Sequence, residues 1–234
     1  MLKSFLEKML DMGKESASPV EIGGRNYTAA NLKPILEPIA EPLHTSGLRS
    51  IVDYIKHEID SSDFQVIHIA NESRVDVYSE LNDDKRREHF LCCSYPEEPF
   101  RFGRFMPYSE FIIALQSKFV PDDNVTTLLS YVGNIREESA AEFKDDGVSQ
   151  TVVCKTGIAR LENVTLPNRI KLRPYRTFSE VEQPASEFVF RIGKNSDCAL
   201  FEADGGAWKR EAVKNIKNYL DFELSDDEFH IILE

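Results

Sequence analysis

Residues 157–207 read GIARLENVTLPNRIKLRPYRTFSEVEQPASEFVFRIGKNSDCALFEADGGA, and this stretch decides the fold. Ile158–Val164, Arg169–Arg173, Phe188–Ile192 and Cys198–Glu202 are short runs of strand character, parted by Pro, Asn and Gly. Gly205-Gly206 ends them. Residues 207–222 then read as a helix, with Trp208, Val213, Ile216, Tyr219 and Leu220 as its apolar positions.

Working upstream, Val148–Thr156 alternates as a strand does. The charged segment 136–147 before it ends in Asp145-Asp146-Gly147, a tight-turn signal. Two helices precede that segment. Tyr108–Phe119 places Phe111, Ile112, Leu115 and Phe119 on one stripe, with Ser109 available as a cap. Val125–Ile135 follows Pro121, and Asp122 and Asp123 suit its N-terminal dipole. Residues 64–69, 74–81 and 86–95 are strand-like and are joined by the polar turns Asn71-Glu72-Ser73 and Asn82-Asp83-Asp84, which predicts an antiparallel meander. Leu48, Ile51, Val52, Ile55 and Ile59 mark a helix before it, capped by Thr45 or Ser46. Pro34, Pro38 and Pro42 keep 27–43 out of helix. Downstream, Phe229–Leu233 closes the chain as a last strand. The expected class is α+β, with antiparallel strands in two groups and helices packed between them and at the ends.

The first residues stand apart. Leu2, Phe5, Leu6, Met9 and Leu10 recur at i, i+3, i+4, i+7 and i+8, a single helical stripe. Residues 14–26 are small and polar with Pro and Gly, and read as a linker. The organisation expected is therefore an amphipathic helix and linker over 1–26 and a single α+β domain over 27–234. The stripe must be buried on its own domain or on a second copy. A homo-oligomer, a dimer by default, is the expectation, with Leu2, Phe5, Leu6, Met9, Leu10 and Trp208 as interface residues.

Composition narrows the chemistry. The chain has 234 residues, 41% of them hydrophobic, with 15 Phe, 8 Tyr and a net charge of −12. That is a globular composition with long-range repulsion of nucleic acid unless its cations cluster. Four cysteines, two of them adjacent (Cys92 and Cys93), do not form a disulfide framework and read as reduced cytosolic thiols. No apolar run is long enough to span a membrane, so no membrane partner is expected. The start, MLKSFLEKMLDMGK, has its apolar part broken by acids and is not read as a signal peptide.

Phosphate-loop, zinc-protease, nucleophile-elbow and dinucleotide motifs are all missing. His44, His57, His68, His89 and His230 have no metal-ligand spacing with one another or with the cysteines, so neither a metal nor any other cofactor is expected. Pro121-Asp122 followed by Glu142-Phe143-Lys144 echoes the PD…(D/E)xK pattern of metal-dependent nucleases, which hold Mg²⁺ between carboxylates and use a Lys to assist water. Asp122 reads instead as a helix cap and 136–146 as a solvated turn, so the protein is expected not to be an enzyme.

Cations are the more informative residues. Arg169, Lys171 and Arg173 alternate with Ile170 and Leu172 and so share one face of a strand. Tyr175 and Arg176 follow. These five are the candidate site for a small anionic ligand or a nucleic-acid strand, held by charge and stacking. The competing reading is a solvated sheet face neutralised by Glu180, Glu182 and Glu187.

The segments GNIREE (133–138), DDGVSQTVVCKTGI (145–158) and LPNRIKLRPYRTFSEVEQPASEFVFRI (166–192) together resemble a family of phage and prophage proteins of the Firmicutes. HTSGLRSIVDYIK (44–56) and RFMPYSEFIIALQSKFV (104–120) fit the same family, and there is a distant similarity to uncharacterised prophage proteins of enterobacteria. The resemblance covers about residues 27–205 and implies a bacteriophage protein made in the host bacterial cytoplasm; it brings no catalytic residues with it. Two functions follow as expectations. One is a non-enzymatic binding protein acting on a host protein or small host molecule, in countering host defence. The other is a nucleic-acid-associated protein of phage replication or recombination.

Overall fold

The computed structural model describes residues 2–17, 19–28, 33–34, 38–60, 64–95, 98–136, 142–145, 150–153, 169–193, 196–226 and 230–234. In chain order the elements are α1 (Leu2–Ala17), β1 (Pro19–Ile22), β2 (Arg25–Thr28), β3 (Lys33–Pro34), β4 (Leu43–Thr45), α2 (Arg49–Lys56), β5 (Gln65–Asn71), β6 (Arg74–Ser79), β7 (His89–Ser94), α3 (Tyr108–Lys118), α4 (Asp123–Arg136), β8 (Glu142–Asp145), β9 (Gln150–Val153), β10 (Ile170–Leu172), β11 (Ser186–Ile192), β12 (Cys198–Glu202), α5 (Ala207–Glu223) and β13 (His230–Leu233). The class is α+β, as the strand and helix order implies. The expected strand Ile158–Val164 lies outside the described residues.

Two compact units are present, Met1–Glu41 with Leu81–Glu88, and Pro42–Glu80 with His89–Glu234. In the first, β1 and β2 form a hairpin within the segment that the sequence reads as linker. Gly23 and Gly24 carry φ of 61° and 80°, so both central residues of the two-residue turn are left-handed, which glycine adopts without strain. Arg25 holds the 81–88 segment, bonding to the Asp83 carbonyl and pairing with Asp84 at 3.3 Å.

In the second unit the meander β5–β6–β7 forms as the polar turns dictate. Both of its flanking strands are parallel additions, β13 on β5 and β4 on β7, giving the order β13-β5-β6-β7-β4. The inner face carries Ile67, Ile69, Val75, Val77, Leu91 and Cys93 and packs against α2 and α5. The other sheet is the antiparallel β10-β11-β12. Its Leu172, Phe188, Phe190 and Leu200 pack against Phe111 and Leu115 of α3 and Leu128 of α4. Alternation explains the pattern, since β11 buries every second residue from Ser186 to Ile192.

Helix starts depart from the expected caps. Neither Thr45 nor Ser46 caps α2, whose N-cap is Leu48 without a side-chain bond. Glu180 serves that end instead, accepting the Arg49 N–H at 3.3 Å from 131 residues away. Ser109 is likewise not the cap of α3, which starts after Pro107. Asp122 does cap α4, accepting the Val125 N–H at 2.8 Å. Among the described residues no helix is long and apolar enough to cross a membrane.

Candidate functional site

Among the described residues three places stand out: an outward row on the five-stranded sheet, the cations of β10 and its following turn, and the stripe of α1.

The row is built by strand register. His44 of β4 is the partner of Cys92 of β7, Cys92 of Asp76 of β6, and Asp76 of His68 of β5. Directly opposed residues share a face. Val75, Val77, Leu91 and Cys93 occupy the core side, so Asp76 and Cys92 project from the outer one. Adjacent Cys92 and Cys93 thus serve opposite faces. Cys93 is fully buried, and burial pushes its thiol up to about 11, so it is an inert core residue.

His89 joins this row through an irregularity. Strict alternation would put it on the same side as Leu91, in the core. The register shifts between Val77 and Tyr78, so that Val77 pairs with Leu91 but Tyr78 pairs with His89. One extra residue on β7 turns the imidazole outward, the usual consequence of a bulge. There it stacks on Tyr78 at 4.6 Å, and its Nε2 stands 3.0 Å from Asp76 Oδ1 and 3.1 Å from the Leu91 carbonyl. Arg74, two residues along β6, grips both Asp76 oxygens, with Nε at 2.9 Å from Oδ2 and 3.1 Å from Oδ1. The Asp76 side chain is only 3% exposed, which a carboxylate tolerates when so paired. His44 and His68 flank the cluster and are exposed. No sequence spacing reveals this set, because cross-strand pairing and one bulge create it.

Arg169, Lys171 and Arg173 do share an outward face, alternating with buried Ile170 and Leu172. Their carboxylate neighbours are close. Arg169 pairs with Glu187 at 2.8 Å, and Arg173 lies 3.8 Å from Asp122 and 3.7 Å from Glu182. Lys171 sits opposite Glu187 in register. Tyr175 is 39% exposed beside them. Arg176 turns the other way and is 5% exposed. Its guanidinium lies 3.7 Å from the Trp208 ring centroid, donates to Glu202 Oε1 at 2.8 Å and also reaches the Ser186 hydroxyl. Burial pulls its pKa down to about 10, with Glu202 and Asp204 opposing, so it stays a cation at neutral pH. Ser186 passes its hydrogen to Asp204 Oδ2 at 2.6 Å, and Asp204 also accepts the Gly206 N–H at 3.1 Å. Burial works against the Asp204 charge, but these bonds outweigh it and hold the carboxyl below its ordinary range. Trp208 is thereby half-buried under Arg176, at the start of α5.

Along α1 the apolar stripe is open. Phe5, Leu6, Met9 and Leu10 are 60%, 51%, 56% and 63% exposed, and Met12 adds another 62%. The Leu2 side chain lies outside the described residues. Glu142 and Lys144 of the nuclease-like pattern fall on β8, which pairs antiparallel with β9 where the sequence reads a turn. Asp122 is committed to capping α4 and faces Arg173.

Comparison with family models, curated proteins and solved structures finds no match to this chain.

Proposed function

We propose that this is a bacteriophage-encoded binding protein without catalytic activity, made in the host bacterial cytoplasm, that pairs with a second copy of itself through α1. In that form it engages a host protein or a small anionic host molecule, countering host defence. Phage origin rests on the family resemblance of residues 27–205. The observation that carries the binding role is the open stripe of α1. A 16-residue helix is marginal alone in water, and five large apolar side chains more than half exposed need a covering surface. A second copy suits that surface by charge. Lys3, Lys8 and Lys14 balance Glu7, Asp11 and Glu15 within α1, whereas the chain as a whole carries −12. Two such helices meet without like-charge repulsion, in the isologous contact usual for homodimers.

Light scattering tests this reading. The native chain at tens of micromolar should show twice its 26.7 kDa mass, and Phe5→Glu with Met9→Glu should show the monomer mass. A native monomer counts against it.

The second reading, a nucleic-acid-associated protein, depends on the β10 cations. Their carboxylate partners weaken it, because an already paired cation releases fewer counterions on meeting a phosphate. Single-stranded DNA should therefore bind weakly, and Arg169→Glu with Arg173→Glu should change that little. Tight binding that falls steeply with salt and vanishes in the double variant would favour the second reading. With Mg²⁺ or Mn²⁺ the protein should cut neither DNA nor RNA. Cleavage lost in Glu142→Gln would overturn the non-enzymatic assignment.

A further inference from the structure

We propose that Asp76, His89 and Cys92 form a binding site for one divalent cation of the zinc class on the outer face of the five-stranded sheet. The donor set comes first. A thiolate, an imidazole nitrogen and a carboxylate are the ligand types that zinc takes, and in mixed combination they favour it over the hard cations. One donor atom from each of the three lies within 4.8 Å of the other two.

The spacing is close to what the ion needs. Tetrahedral bonds of about 2.05 Å to nitrogen and oxygen place those two donors about 3.3 Å apart, and a longer bond to sulfur puts it about 3.6 Å from each. His89 Nε2 and Asp76 Oδ1 stand 3.0 Å apart and open by a few tenths of an ångström, while the Cys92 sulfur, within 4.8 Å of both, closes by at most about 1.2 Å. Cys92 faces Asp76 directly across the β6–β7 ladder.

Placement is equally specific. The register shift between Val77 and Tyr78 brings His89 to this face and away from the core. Arg74 bonds to both Asp76 oxygens from one side and is itself 46% exposed, so it can keep one oxygen while the other turns to the metal. A ligating carboxylate usually has such a hydrogen-bond partner. One carboxylate and one thiolate match the two charges of the ion, and the Arg74 guanidinium on Asp76 adds one positive charge, which its 46% exposure lets water screen. Proton accounting is simple. On binding, the Cys92 thiol releases one proton to solvent, and the His89 nitrogen that meets the ion carries no hydrogen. His44 and His68 flank the row by register, and both are exposed. Cys198 is fully buried in the other core and, among the described residues, belongs to no such set.

Cobalt(II) is the direct probe, because its bond to a thiolate gives a charge-transfer absorption that oxygen and nitrogen ligands do not. Protein freed of metal by a chelator is titrated with Co²⁺, then with Zn²⁺ as competitor. The expected result is a saturable thiolate band at one ion per chain that Zn²⁺ abolishes. That band should persist in Cys198→Ala, vanish in Cys92→Ser and in Cys92→Ala, and need at least about tenfold more cobalt in His89→Ala. Circular dichroism checks that each variant is folded. No thiolate band from the native chain overturns the proposal, as does a band that survives in a folded Cys92 variant.

Discussion

Phe188→Ala should lower the free energy of unfolding by about 4 kcal/mol. Phe188 is fully buried at the centre of the β10-β11-β12 sheet, where three kinds of contact meet. Its ring stacks on Phe102 at 5.0 Å and meets Phe119 edge-on at 6.5 Å. The Arg176 guanidinium stands 5.9 Å from its centroid. Truncation removes the transfer free energy of the ring and leaves a cavity that neighbouring aromatics cannot fill without leaving their own rotamers. Urea titration followed by circular dichroism measures it. A loss below about 1.5 kcal/mol would mean that this core collapses around the gap.

Arg176→Ala should cost about 3 kcal/mol, whereas Arg169→Ala should cost less than about 0.5 kcal/mol. The two arginines are seven residues apart and each pairs with a glutamate at 2.8 Å. Burial separates them. The Arg176 side chain is 4% exposed and fixes Trp208, Ser186 and Glu202 together, while Arg169 is 57% exposed and its pair is screened by water. The lower end of the range for a broken buried pair applies because Glu202 is 41% exposed and can rehydrate. Because Arg176 touches Phe188, the double variant with Phe188→Ala should lose less than the sum of the two. Equal costs for Arg176→Ala and Arg169→Ala would remove the case for a buried lock at the start of α5.

Much of this fold is legible in the residues. Turn chemistry at 71–73 and 82–84 marks the meander, and 3.6-residue spacing marks α2 to α5. What stays hidden is long-range. Nothing local tells that Glu180 serves the N-terminus of α2, or that the last strand pairs in parallel with β5. The Gly23-Gly24 turn was readable, since a glycine pair is a hairpin signal, but the small polar residues around it look like linker. At the sites the contrast is sharper. The α1 stripe is a local pattern and reads directly from Phe5, Leu6, Met9 and Leu10. The β10 cations also read correctly as one face, but their acidic partners come from other elements, and the inward turn of Arg176 has no sequence signal. Asp76, His89 and Cys92 escape entirely, because pairing across strands sets two of them together and a bulge supplies the third.

Hydrogen exchange across residues 2–17 reports on self-association through α1. Amides of an unsupported helix this short exchange fast, and those of a helix buried against a partner exchange slowly. Mass spectrometry of the peptides covering α1 is therefore run at submicromolar and at tens of micromolar protein. Protection should rise with protein concentration and be lost in Phe5→Glu with Met9→Glu. Protection that is the same at both concentrations, or none at either, contradicts it.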